Sequence, residues 1–201
     1  MRKPAITAAT LVLFSALLLQ AGGMVSAAEK QTPEQILKTL PSSVGAFIAE
    51  APYVYEKPEW GASIGYNNDS PQIALTLYLY DNGKGIIEDG IASKMVLEEK
   101  DSVIQEIKEG ATWRNVLIIK DGQQEFNLDN GKKVPVLFTQ FSLEDANSPP
   151  ESHEILCSDL YLFGAKGYFC KIRITRLAST PADVEERIKE TVAALLSKLA
   201  D

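Results

Sequence analysis

The sequence predicts an α+β domain, a mostly antiparallel sheet of about six strands with helices packed on its faces. Three observations predict it. Glu154 to Leu177 holds two strand-length runs of aromatic and branched residues around Gly164-Ala165-Lys166-Gly167, a loop whose glycines permit the positive φ of a tight hairpin. Ile73 to Tyr80 alternates Ile73, Leu75, Leu77 and Leu79 with Ala74, Thr76, Tyr78 and Tyr80, so both faces of that strand are at least partly covered. Two further stretches, Ile91 to Lys108 and the segment from Thr180 onward, repeat their apolar residues at helical spacing.

The chain has 201 residues and opens with Arg2 and Lys3, followed by an uncharged run from Ala5 to Ala28 centred on Leu11 to Leu19. Small residues Val25-Ser26-Ala27-Ala28 close that run. This is the pattern of a signal peptide, residues 1–28, cut after Ala27 or Ala28. Residues 29–201 then form a single α+β domain, of a size that one core can serve. Such a protein is periplasmic or secreted, with no stable membrane insertion after cleavage. Losing Arg2 and Lys3 and no acid takes the net charge from -7 to -9, a surface that disfavours nucleic acid.

In chain order, Thr32-Pro33-Glu34-Gln35 starts a short helix with a capping box, and Pro41 ends it. Val44 to Tyr55, interrupted by Gly45 and Pro52, reads as an edge strand. Trp60 to Tyr66 is the next strand, and Asn67-Asn68-Asp69-Ser70-Pro71 turns the chain into Ile73 to Tyr80. After the turn Asp81-Asn82-Gly83 comes the midchain helix. Val96, Val103 and Ile107 share its apolar side, while Glu98, Glu99, Lys100, Glu106 and Lys108 supply the wet side. Val116 to Lys120, Gln123 to Leu128 and Val134 to Phe141 follow as strands, separated by the hairpin signals Asp121-Gly122 and Asp129-Asn130-Gly131. In the last hairpin Tyr168, Cys170, Ile172 and Ile174 alternate with Phe169, Lys171, Arg173 and Thr175. A closing helix carries Val184, Ile188, Val192, Leu195 and Leu199 on one stripe.

This order, carried by Trp60-Gly61-Ala62-Ser63-Ile64-Gly65-Tyr66, the strand and turn from Ile73 to Asp81, the midchain helix and the last hairpin with its helix, resembles the PsbP-like superfamily. The resemblance implies an α/β/α sandwich. It also implies a binding or assembly role in the bacterial cell envelope, because members mostly act as such modules and share no catalytic residue set.

Candidate chemistry is sparse. Gly61-Ala62-Ser63-Ile64-Gly65 matches the nucleophile-elbow pattern, with His153 later in the chain, so a small secreted serine hydrolase is the alternative function. An elbow needs a helix directly after the serine, whereas here a turn and a strand follow. His153 is the single histidine and lies in an acidic, proline-containing loop, where it reads as a solvated residue. One histidine and two cysteines do not make a structural zinc site. The Asp-Asn-Gly segments read as turns, since neither continues with calcium ligands at EF-hand spacing. No metal and no cofactor are expected.

Cys157 and Cys170 leave two readings open. An oxidising compartment favours a disulfide. A hairpin centred on Ala165-Lys166 instead sets Cys170 opposite Tyr161 and Cys157 opposite Ile174, too far apart to join unless a bulge shifts the register. Tyr53, Tyr55, Trp60 and Tyr66 gather in the first β region, either as a core corner or as a binding patch. Trp60 and Tyr66 are the candidate contacts of a non-enzymatic protein that binds an envelope protein or a small ligand.

Overall fold

The computed structural model describes residues 30–69, 72–149, 151 and 154–200. The expected signal peptide, residues 1–28, lies outside them, as do Ser70, Pro71 and His153. Helix α1 (Pro33–Leu37) begins with the capping box expected from sequence: the Thr32 hydroxyl accepts from Gln35 N–H, and the Gln35 side chain accepts from Thr32 N–H.

The expected α+β domain of about six strands is corrected to a sheet-dominated one. Nine strands form a single sheet, and 43% of the described chain is strand against 26% helix in three α-helices and short helical turns. In chain order the strands are β1 (Ser43–Val44), β2 (Phe47–Ala49), β3 (Tyr53–Val54), β4 (Ala62–Asp69), β5 (Gln72–Tyr80), β6 (Trp113–Asn127), β7 (Lys133–Asp145), β8 (Leu156–Ala165) and β9 (Tyr168–Leu177). The spatial order is β1-β2-β4-β5-β9-β8-β7-β6, with β3 also on β4, and every pairing is antiparallel. Part of the difference lies in Val44 to Tyr55. Gly45 at φ 57° turns the chain between β1 (Ser43–Val44) and β2 (Phe47–Ala49), and Pro52 separates β2 from β3 (Tyr53–Val54). One expected edge strand therefore becomes three.

Asp121-Gly122 moves the other way, because no hairpin forms there and β6 (Trp113–Asn127) runs straight through it. The Asp121 carboxylate meets Lys100 Nζ at 2.7 Å and accepts from the Thr139 hydroxyl at 2.7 Å, so the side chain that would cap a turn is tied to a helix and to the adjacent strand. The turns at Asn82-Gly83 and Asn130-Gly131 do form, with φ of 51° at Asn82, 71° at Gly83 and 77° at Gly131.

β4 (Ala62–Asp69), β5 (Gln72–Tyr80), β8 (Leu156–Ala165) and β9 (Tyr168–Leu177) make the centre of the sheet, and β7 (Lys133–Asp145) joins it to the outermost β6. On one face, Leu75, Leu77, Ile172 and Ile174 pack in a core with α1 and with Val184, Ile188, Val192, Leu195 and Leu199 of α3 (Ala182–Leu199). Each of these leucines and isoleucines, once fully buried, contributes about 1.5–3 kcal/mol. The opposite face is covered by α2 (Lys94–Glu109) in two smaller clusters. Val96 packs with Tyr80, Leu162 and Phe169, while Val103 and Ile107 pack with Phe141, Leu143 and Leu160.

Candidate functional site

Strand alternation sends Tyr78 and Tyr80 of β5, and Lys171 and Arg173 of β9, to the face beneath α2. The register sets Lys171 opposite Tyr78 and Phe169 opposite Tyr80. The Lys171 ammonium consequently lies 4.5 Å from the Tyr78 ring centre and 5.3 Å from that of Tyr80. Helix α2 carries Glu99, Val103 and Glu106 above them, and Tyr55 and Trp60 complete the lining. Between helix and sheet these groups enclose a cleft of about 370 Å³.

The cleft has a polar lining on both helix and sheet. Glu99 is buried on the same side of α2 as Val96 and Val103, and both of its carboxylate oxygens are engaged: Asn82 Nδ2 donates to Oε1 at 3.0 Å and Lys84 Nζ meets Oε2 at 3.3 Å. Arg173 donates from Nε to the Ser158 hydroxyl at 3.2 Å and stacks its guanidinium 4.9 Å from the Trp113 ring centre. Its Nη2 is buried without a hydrogen-bond partner, and the Tyr80 hydroxyl is buried beside the Glu99 carboxylate. Burial pulls the pKa of Lys171 and that of Arg173 below their ordinary values, with the exposed Glu106 pulling in the opposite direction. Burial pushes both phenols up, and for Tyr80 the charge of Glu99 adds to it.

Of the two candidate contacts named from sequence, only Trp60 reaches this cleft. It sits in the 3-10 turn Pro58–Trp60, is 48% exposed, and stands under Lys57, whose Nζ is 4.5 Å from its ring centre. Tyr66 is corrected from contact to core. Its ring faces the opposite side of the sheet at 0% exposure, and its hydroxyl donates to Pro41 O at 2.7 Å. Burial raises its pKa to about 12.

Ser63 lies within β4 with its hydroxyl 3.2 Å from that of Tyr55, and β4 leads into β5, with no helix at the position an elbow requires. The glycines beside it earn their places by close approach. A Cβ on Gly61 would collide with the Leu79 carbonyl oxygen, and one on Gly65 would crowd the Glu50 carboxylate at 2.7 Å.

Cys157 and Cys170 are both free thiols, which corrects the disulfide reading. The hairpin turns on Lys166 and Gly167, at φ 57° and 81°, with Ala165 opposite Tyr168. This register sets Cys157 opposite Arg176 and Cys170 opposite Phe163. Six residues of strand then separate the two levels, about 20 Å. Among the described residues no group of three or more His, Cys, Asp or Glu side chains is placed to hold a metal ion.

The residues that sequence reasoning left out are Lys171, Arg173, Tyr78, Tyr80 and Glu99. Lys171 and Arg173 look solvent-facing in the β9 alternation, and Glu99 looks like part of the wet side of α2. The available signal was the apolar stripe of α2 itself: a helix with Val96, Val103 and Ile107 must cover a sheet face, and the face left for it carries these polar residues.

Comparison of the chain with protein-family models, with curated proteins and with solved structures finds no match. No helix of the described residues is long and apolar enough to cross a membrane.

Proposed function

We propose that the mature chain is an exported, non-enzymatic binding protein of the bacterial cell envelope that holds a small ligand in the cleft between α2 and the sheet. The observation that carries this reading is Arg173 Nη2, buried without a partner in the lining of a cleft that Lys171 and the half-exposed Trp60 also line. A buried polar atom with no partner costs about 1–3 kcal/mol, and a ligand that satisfies it recovers that cost. Half-exposed tryptophan beside a polar pocket suits a small molecule with an apolar body. The basic start and apolar run of residues 1–28 support export, and the resemblance to the PsbP-like superfamily supports a binding or assembly role.

The test is a thermal shift and tryptophan-fluorescence titration of the mature protein with the deproteinated small-molecule fraction of its own envelope. A raised midpoint together with a changed emission, the latter lost in Trp60→Phe, is the expected result. No change in either signal rejects a small-ligand role for the cleft.

A further inference from the structure

We infer that the cleft takes a small organic anion, with its charged oxygens on Lys171 and Arg173 and its apolar body toward Tyr55 and Trp60. This rests on the cleft being a ligand site, as proposed above, and adds the chemical class.

Lys171 and Arg173 are two residues apart on one face of β9, so their side chains rise from the sheet about 6–7 Å from each other. Two mostly buried cations at that spacing normally stand opposite carboxylates, because an unpaired buried charge is costly. Here, among the described residues, neither forms an ion pair. The ammonium of Lys171 is faced by the rings of Tyr78 and Tyr80, and the guanidinium of Arg173 by the ring of Trp113 and the Ser158 hydroxyl.

Two carboxylates of α2 are near, and neither takes the role. Glu99 has both oxygens engaged by Asn82 and Lys84. Glu106 is exposed on the rim and forms no ion pair with either cation. What remains in the lining is a pair of cationic donors, the Lys171 ammonium and the Arg173 guanidinium, whose Nη2 is buried without a partner. With Glu99 already engaged, Glu106 at the rim is the one carboxylate of the lining left for two cations. A carboxylate or phosphate monoester supplies two or three charged oxygens, whereas a neutral amide offers one uncharged acceptor. The aromatic end of the cleft selects a ligand with an apolar or flat body over a bare inorganic ion.

The experiment titrates the intact mature protein with benzoate and phenyl phosphate against their neutral counterparts benzamide and benzyl alcohol, by calorimetry at fixed ionic strength. At least one of the anions is expected to bind about 10- to 100-fold more tightly than its neutral counterpart, the range that a charged hydrogen bond supplies. Lys171→Gln is expected to remove most of that preference. The wild-type comparison stands without any variant, so a misfolded Lys171→Gln does not blunt the test. Equal or tighter binding of the neutral compounds overturns the anion class and leaves the cleft standing as a ligand site. An anion preference that Lys171→Gln and Arg173→Gln both preserve, each with a native melting curve, overturns the placement. Binding of none of the four overturns this inference, while the envelope-fraction titration above decides separately whether the cleft is a ligand site at all.

Discussion

Arg176 and Asp159 form a buried ion pair, with Nη1 donating to Oδ2 at 2.6 Å and each residue only 4% exposed. The same guanidinium reaches Glu185 of α3 at 3.2 Å, and Gln140 of β7 donates to the other Asp159 oxygen at 2.8 Å. Three strands and a helix thus meet at one charge. Removing either partner leaves the other buried and uncompensated, so Asp159→Ala is expected to cost about 3–5 kcal/mol in urea unfolding. Replacing both together, as Asp159→Leu with Arg176→Met, is expected to recover much of that loss. Additive single losses in the double variant would count against the pair.

Trp60 and Tyr66 separate surface from core. Trp60→Ala is expected to move the thermal midpoint little, since the ring is half exposed, and to weaken ligand capture. Tyr66→Ala is expected to cost about 3–5 kcal/mol, as truncation of a large buried aromatic does. Tyr66→Phe removes only the hydrogen bond to Pro41 O and is expected to cost about 1 kcal/mol. Denaturant melts of the three variants check the order.

Alkaline pH is expected to destabilise the fold from about pH 9 upward. Burial, then the charge of Asp159, lifts the Cys157 thiol from 9.0 to about 11, and burial lifts Tyr66 from 10.0 to about 12. In both cases the folded state holds its proton to higher pH than the unfolded state. The stabilisation is therefore complete below the unfolded values and is lost as pH climbs through the folded ones. Cys157→Ser should flatten the lower part of that fall. The same burial makes both thiols slow to alkylate at pH 8 in the folded protein, while denatured protein should yield two free thiols with no reductant added.

Ser63 is expected to resist a fluorophosphonate probe, its hydroxyl being shared with Tyr55 in a strand. Stoichiometric labelling that Ser63→Ala abolishes without loss of folding would establish it as a nucleophile.

Gly61→Ala is expected to cost more than Gly83→Ala. Both have positive φ, 65° and 71°, a region that glycine enters freely and a side chain enters only with strain. Only Gly61 adds a collision with the Leu79 carbonyl, whereas nothing lies closer than 3.9 Å to a Cβ at Gly83. Chemical denaturation of the two variants gives the comparison.

The strands and helices that show strong periodicity were legible: Ile73 to Tyr80, the closing hairpin and the stripe on α3 are where the pattern puts them. Turn residues were less informative, because Asp121 has the chemistry of a turn but finds partners in Lys100 and Thr139 that keep the strand extended. The hairpin register was missed by two residues, since glycine at either end of Gly164 to Gly167 allows more than one centre, and only the geometry at Lys166 and Gly167 selects one. The cleft was illegible for a different reason. Lys171, Arg173 and Glu99 carry the charges that usually mark solvent, and it is the seating of α2 over β5 and β9 that buries them.

The pairing of β5 with β9, from Ile73 opposite Arg176 to Tyr80 opposite Phe169, also fixes the order in which the molecule can be finished. These neighbours at the middle of the sheet are separated by a loop of about 90 residues, and closing it is slow compared with forming the local hairpins on either side. A chain emerging amino-terminus first holds β4 and β5 as a ribbon with one bare edge until nearly its last forty residues arrive. Chains halted before Leu177 should therefore expose that edge and aggregate.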